Sequence, residues 1–185
     1  MNLPNILTAF RFPLSFVMVF FIFKDGGRLA WAALLTFIVA SLTDYIDGKI
    51  ARRYGLITVF GALMDPIADK MLTLCALVSF WKLDLLPGFW VAIVATREVT
   101  VTGFRLFSLG KGDPSSSASG KGKTAFQMLY ITGVLGYLAV YHSRFWDPAW
   151  ERASYLAVRG GMLVVVLLTV WSGFEVFRRS LPKPS

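Results

Sequence analysis

Four aspartates, Asp44, Asp47, Asp65 and Asp69, lie close together in an otherwise apolar chain. At 3.6 residues per helical turn, Asp44, Asp47, Gly48 and Ala51 fall along one face, and Asp65 and Asp69 stack one turn apart with Gly61 a turn before them. Carboxylates in apolar surroundings are costly, and four of them cannot all ionise without countercharge. Lys70 and Arg52 offset part of it. The economical solution is a divalent cation, because hard cations take oxygen ligands and magnesium in particular binds through a few carboxylates plus substrate phosphates. Two such ions about 3.5–4 Å apart clamp the attacking and leaving oxygens of a phosphoryl transfer. Small Gly48, Ala51 and Gly61 leave room for a ligand against the backbone.

Plainer roles exist for the same residues. Gly48, Ala51 and Gly61 also suit close helix packing. A single intramembrane aspartate also serves as half of a structural ion pair, and four can line a proton or sodium path. The joint spacing across two consecutive helices favours a shared ligand site.

The elements that must position these groups follow from composition. Of 185 residues, 56% are hydrophobic and 16% charged, with a mean hydropathy of +0.61. The hydrophobic share exceeds the roughly 45–50% of soluble domains. The chain therefore reads as a single-domain, all-α integral membrane protein. An uncharged run of spanning length occurs only at 124–143, but allowing charged residues gives six helices at about 5–24, 28–50, 57–81, 86–109, 122–142 and 153–177. The link at 110–123, rich in Gly and Ser, is the one linker-like stretch. The connection between the second and third helices is short, which predicts antiparallel neighbours whose carboxylates meet at one edge of the membrane.

Lysine and arginine set the expected orientation. Lys49, Arg52, Arg53, Lys111, Lys121, Lys123, Arg178, Arg179 and Lys183 fall on the side of the N-terminus, and Lys24, Arg28, Lys82, Arg144 and Arg152 on the other. This bias predicts both termini in the cytoplasm. Trp31, Trp81, Trp90, Trp146 and Trp150 near the opposite ends match an interfacial aromatic belt. The net charge of +8 is then a topology and lipid-surface signal rather than a nucleic-acid footprint. Cys75 is the only cysteine, which excludes an internal disulfide and a cysteine-based zinc site. The first residues lack the layout of a cleaved signal, so none is expected.

The stretch from Asp44 to Asp69 resembles the signature of the CDP-alcohol phosphotransferases: D-x-x-D-G-x-x-A-R, eight residues, then G-x-x-x-D-x-x-x-D. Every fixed position is present. The opening NLPNILTAFR, the segment FGALMDPIADK, REVTVTGFR from Arg97 and GKGKTAFQ from Gly120 resemble the bacterial branch that makes phosphatidylglycerophosphate. The resemblance implies a six-helix homodimer of the bacterial inner membrane, with its active site facing the cytoplasm. It further implies transfer of a phosphatidyl group from CDP-diacylglycerol to sn-glycerol 3-phosphate, releasing CMP. Carried over by position, Asp44, Asp47, Asp65 and Asp69 bind magnesium or manganese, two ions per site, and Asp69 also deprotonates the acceptor hydroxyl. Asp47, Gly48, Ala51, Arg52, Thr58 and Gly61 surround the cytidine diphosphate of the donor.

An acceptor that carries a phosphate calls for basic residues on the same side. Arg105, Lys121 and Lys123 are the first candidates, with Arg97 two turns before Arg105 sharing its face. Lys121 and Lys123 also fit plain anchoring at the inner surface, and Arg97 also fits a structural partnership with Glu98 or another buried acid. Asn5, Thr8 and Arg11 suit the edge of the nucleotide pocket, or simple helix-start chemistry and snorkelling. His142 reads as interfacial, and Arg159 and Glu175 as structural or dimer contacts. Two rival functions stay open: a cardiolipin synthase of the CDP-alcohol type, and an ion or proton transporter built on the acidic cluster.

Overall fold

The computed structural model describes residues 3–24, 28–54, 59–107, 118–143 and 147–180, and within them the side chains other than those at 3–8, 44, 45, 47, 48, 50–54, 59–63, 105–107, 118, 119, 121, 179 and 180. Six helices follow in order: α1 Leu3–Phe23, α2 Ala30–Tyr54, α3 Val59–Lys82, α4 Gly88–Phe107, α5 Ala118–Tyr141 and α6 Glu151–Ser180. A single 3-10 turn at Pro148–Trp150 precedes α6, its first turn capped by the Asp147 carboxylate accepting from the Ala149 N–H at 2.9 Å. No strand occurs among the described residues. All six expected helices are present, and the fold class is all-α.

Each helix buries one stripe. Ala33, Phe37 and Ala40 of α2, Leu72, Ala76 and Phe80 of α3, and Ile131, Leu135 and Leu138 of α5 recur at helical spacing and meet in one core with Met18 and Ile22 of α1, Val91 and Val94 of α4, and Met162 and Val165 of α6. The opposite faces are apolar too. Leu35, Val39, Leu42 and Ile46 form an exposed stripe on α2, and Leu167, Val170, Trp171, Phe174 and Phe177 form another on α6. An exterior of this kind suits hydrocarbon rather than water. Two segments among the described residues, Gly122–Tyr141 and Pro148–Arg178, are long and apolar enough to cross a membrane.

Polar groups inside the bundle follow the same solvent logic, since a hydroxyl without water nearby must bond to the protein. Ser15 donates to the Arg11 carbonyl, Ser41 to that of Phe37 and Ser79 to that of Cys75, each at 2.8 Å and one turn back. His142 lies just past the end of α5, its Nδ1 2.9 Å from the Leu138 carbonyl and its ring edge-on to Tyr141.

α1 packs along both α2 and α3, so its residues lie against both members of the aspartate-bearing pair. α3 also meets α4 and α5, while α6 closes against α4 and α5. Close approach of α5 and α6 depends on Gly161. A Cβ there would stand 2.8 Å from the Tyr130 ring, whose hydroxyl donates to the Val158 carbonyl at 2.9 Å. α3 ends with Asp84 at φ 58°, the left-handed conformation that helix C-termini usually assign to glycine. The Leu85 N–H then reaches the Phe80 carbonyl at 3.1 Å and the Asp84 N–H that of Trp81 at 3.0 Å, which turns the chain toward α4.

Candidate active site

Asp65 and Asp69 occupy α3 one turn apart, separated by Pro66. Proline has no N–H to give to the carbonyl four residues back, so the helix loses the ladder bond from 66 to 62, in the turn that leads into Asp65. The Asp65 carboxylate is half exposed and that of Asp69 about one-fifth exposed. Both therefore reach the edge of the packed bundle without leaving it. Arg11 of α1 is buried, with Nη2 4.0 Å from Asp65 Oδ1. Snorkelling does not describe this arginine, because its charge points into the bundle toward an acid.

A second cluster adjoins Asp69. Glu98 of α4 is fully buried and receives three cations. Lys123 Nζ of α5 donates to Oε1, Arg97 Nη1 donates to the same oxygen at 3.2 Å, and Lys70 Nζ of α3 stands 2.9 Å from Oε2. Lys70 also lies 3.5 Å from Asp69 Oδ2, so one ammonium joins the two clusters. Arg97 Nη2 continues to Ser172 Oγ of α6 at 2.9 Å, and Ser172 Oγ donates to the Thr169 carbonyl. Gly173 lets this arginine lie flat on α6, since a Cβ there would stand 3.3 Å from Arg97 Cγ. Three helices, α3, α4 and α5, thus meet at one carboxylate, and Arg97 ties in α6.

Lys70, Arg97 and Lys123 thus gather around the two carboxylates of Glu98 and Asp69. Breaking any buried pair would leave a bare charge in a low-dielectric interior, a loss of roughly 3–5 kcal/mol in typical cases. The cluster has an open side, where Lys70 is 21% and Arg97 14% accessible, while Lys123 is closed off at 1%.

The structure thus brings together Asp65, Asp69, Arg97 and Lys123 of the sequence-derived candidates. Asp44, Asp47, Gly48, Ala51 and Arg52 lie on the last turns of α2, Gly61 on the first turn of α3, Arg105 on the last turn of α4 and Lys121 near the start of α5. Their side chains, and Thr58 altogether, fall outside the described residues. Among the described residues no set of three carboxylate, histidine or cysteine side chains gathers as a metal site. The donor chemistry of Asp65 and Asp69, two oxygen ligands on one helix face, matches a hard divalent cation. Glu98 was visible beforehand only as a neighbour of Arg97. An acid in the middle of an apolar helix was the available signal, but its three partners come from other turns and other helices.

A family model for the CDP-alcohol phosphatidyltransferases matches residues 1–171. The chain belongs to that family. Among curated CDP-alcohol phosphatidyltransferase relatives, a Bacillus subtilis protein named CDP-diacylglycerol–glycerol-3-phosphate 3-phosphatidyltransferase is 33% identical over 192 residues, covering 97% of this chain and 95% of the relative. A Rickettsia felis protein of the same name is 36% identical over 180 residues, covering 96% and 94%. A Mycobacterium tuberculosis H37Rv protein named probable phosphatidylglycerophosphate synthase is 35% identical over 190 residues, covering 97% and 82%. This CDP-alcohol phosphatidyltransferase therefore matches its relatives from end to end rather than through the aspartate motif alone.

Proposed function

We propose that the protein is a phosphatidylglycerophosphate synthase, which transfers the phosphatidyl group of CDP-diacylglycerol to sn-glycerol 3-phosphate and releases CMP. Relatives of nearly the same length are named CDP-diacylglycerol–glycerol-3-phosphate 3-phosphatidyltransferase. The observation that supports the acceptor assignment is the gathering of Lys70, Arg97 and Lys123 beside Asp69. A phosphate-bearing alcohol seated on the accessible basic groups brings its hydroxyl toward an acid able to take the proton.

In this reading Asp69 accepts the proton of the acceptor hydroxyl as the oxygen attacks the phosphorus that bears the diacylglycerol. The bond from that phosphorus to the bridging oxygen breaks, and CMP departs with the bridging oxygen on its phosphate. Asp44, Asp47, Asp65 and Asp69 would hold magnesium or manganese, which when bound neutralises the pyrophosphate and the leaving CMP. Arg11 holds Asp65 from the bundle side and limits its movement. Asp47, Gly48, Ala51, Arg52, Thr58 and Gly61 line the nucleotide, the glycines permitting close backbone approach. Arg105 and Lys121, on the same helices as Glu98 and Lys123, extend the anion site.

The exposed apolar stripes of α2 and α6 support an integral membrane protein. We place six spans in the bacterial inner membrane, both termini and the active site in the cytoplasm, and a homodimer as the assembled form. A donor with two acyl chains and a charged head group requires a site at the membrane edge, where the chains stay in hydrocarbon and the pyrophosphate meets water.

The test is purified protein with CDP-diacylglycerol and labelled glycerol 3-phosphate, with and without magnesium, following CMP and lipid product. Metal-dependent CMP release matched by labelled lipid is expected. Release supported only by phosphatidylglycerol would move the assignment to cardiolipin formation. No release with any alcohol acceptor, together with ion movement in liposomes, would favour a transporter.

A further inference from the structure

Glu98 raises a question that the proposed reaction does not answer. An acid buried at the centre of a set meant to receive an anion weakens that set by simple Coulomb arithmetic. Its negative charge repels phosphate and consumes cation hydrogen bonds. A leucine at this position would remove both effects, yet a glutamate takes three cations from α3, α4 and α5.

The geometry supplies a reason. Lysine and arginine side chains carry much rotamer freedom, and like charges drive them apart. Without an acid between them, Lys70, Arg97 and Lys123 would spread toward separate solvent exits. With Glu98 in place, Oε1 takes Lys123 and Arg97 while Oε2 faces Lys70, which fixes three basic side chains at one point. The cluster is graded in depth: Lys123 is the sealed strut, while Lys70 and Arg97 retain accessible surface. Lys70 also touches Asp69, so the fixed point is tied to the acid that handles the acceptor proton.

We propose that Glu98 is a positioning residue for the acceptor phosphate. It holds Lys70 and Arg97 in register with Asp69, using Lys123 as a buried counterweight, so that a phosphate seated on the two accessible cations sets its alcohol beside the Asp69 carboxylate. The inference rests on the proposed function and deepens it: the acceptor site is Lys70 and Arg97 organised by Glu98, and Lys123 acts from beneath. The opposite electrostatic expectation makes it testable. If Glu98 were only a structural acid, neutralising it would leave or strengthen anion binding. If it positions the cations, neutralising it weakens anion binding.

The experiment compares wild type, Glu98→Gln, Glu98→Asp and the double variant Glu98→Leu with Lys123→Met, all purified in detergent. CMP release gives kcat and the KM for each substrate, and thermal unfolding with added inorganic phosphate reads anion binding without turnover. Glu98→Gln is expected to raise the KM for glycerol 3-phosphate at least about tenfold, with the KM for CDP-diacylglycerol changed less than about twofold. Its phosphate-induced thermal shift should vanish, and Glu98→Asp should recover part of both. The double variant removes the buried pair as a unit, which such sites tolerate, and so separates folding from positioning. It should unfold near the wild-type temperature and keep the acceptor defect. A wild-type acceptor KM in the double variant, or an undiminished phosphate shift in Glu98→Gln, would overturn the proposal. Wild type that releases no CMP with glycerol 3-phosphate defeats the proposed function instead, while an absent phosphate shift in wild type defeats this inference.

Discussion

Glu98 and Lys123, 25 residues apart on α4 and α5, form an ion pair in which both side chains are about 99% buried. It is the deepest element of the site and it joins α4 to α5 through their side chains. Lys123→Met should therefore cost roughly 3 kcal/mol, because Glu98 loses its fully buried partner. Chemical unfolding in detergent checks this, and a change below about 0.5 kcal/mol would mean that Lys70 and Arg97 satisfy the carboxylate alone.

Asp69 is one-fifth exposed and has Lys70 at 3.5 Å, so its substitution by the isosteric amide should disturb packing little. Asp69→Asn is expected to lower kcat by at least about a hundredfold while unfolding within a few degrees of wild type. Retained turnover would remove Asp69 from the base role.

Chelation offers an independent check on the carboxylates. EDTA should abolish CMP release and magnesium should restore it. Asp65→Asn should shift the magnesium requirement upward by about 10-fold or more, since a ligand oxygen is lost. Full activity in EDTA would exclude a metal role for the aspartates.

Tyr130 and Gly161 set the spacing of α5 and α6. A methyl group at 161 would meet the Tyr130 ring at 2.8 Å, so the ring must move and its bond to the Val158 carbonyl must lengthen. Gly161→Ala should destabilise by about 1–3 kcal/mol. A thermal scan that shows no loss would indicate that the two helices can slide apart freely.

Asp84 carries the opposite expectation. Its φ of 58° is strained for a side chain with a Cβ, and an acid at a helix C-terminus opposes the helix dipole. Asp84→Gly should raise stability by about 0.5–1 kcal/mol without altering turnover. Lower stability would show that the carboxylate has a compensating partner.

Much of this protein was legible in its residues because the signals were local. The spacing of Asp44, Asp47, Asp65 and Asp69 is a property of consecutive helical turns, and the six apolar segments announce themselves by composition. The expected helices lie within a few residues of those observed. The largest difference at an N-terminus is in α5, which begins at Ala118 instead of about 122, because the small residues ahead of Lys121 continue the helix rather than break it.

The roles of individual charges were less legible. Lys123 reads in the sequence as a surface anchor or a phosphate ligand, yet the fold buries it against Glu98. Arg11 reads as the edge of a nucleotide pocket or as a snorkelling residue at a helix start, and the fold buries it facing Asp65. Lys70 reads as part of the countercharge for the four aspartates, yet it also bridges to Glu98 of α4.

The sequence by itself determined the spacing of the acidic and basic residues proposed to bind metal and phosphate and that they sit on apolar helices, because residue type and helical period require no knowledge of neighbouring helices. Only the tertiary structure decided which cations meet which acids. Pairing between Lys70, Arg97, Glu98 and Lys123 depends on how α3, α4, α5 and α6 rotate about their axes and how closely they approach. Those angles are set by core packing at residues such as Leu72, Val94 and Ile131, which the spacing of the charged residues does not specify.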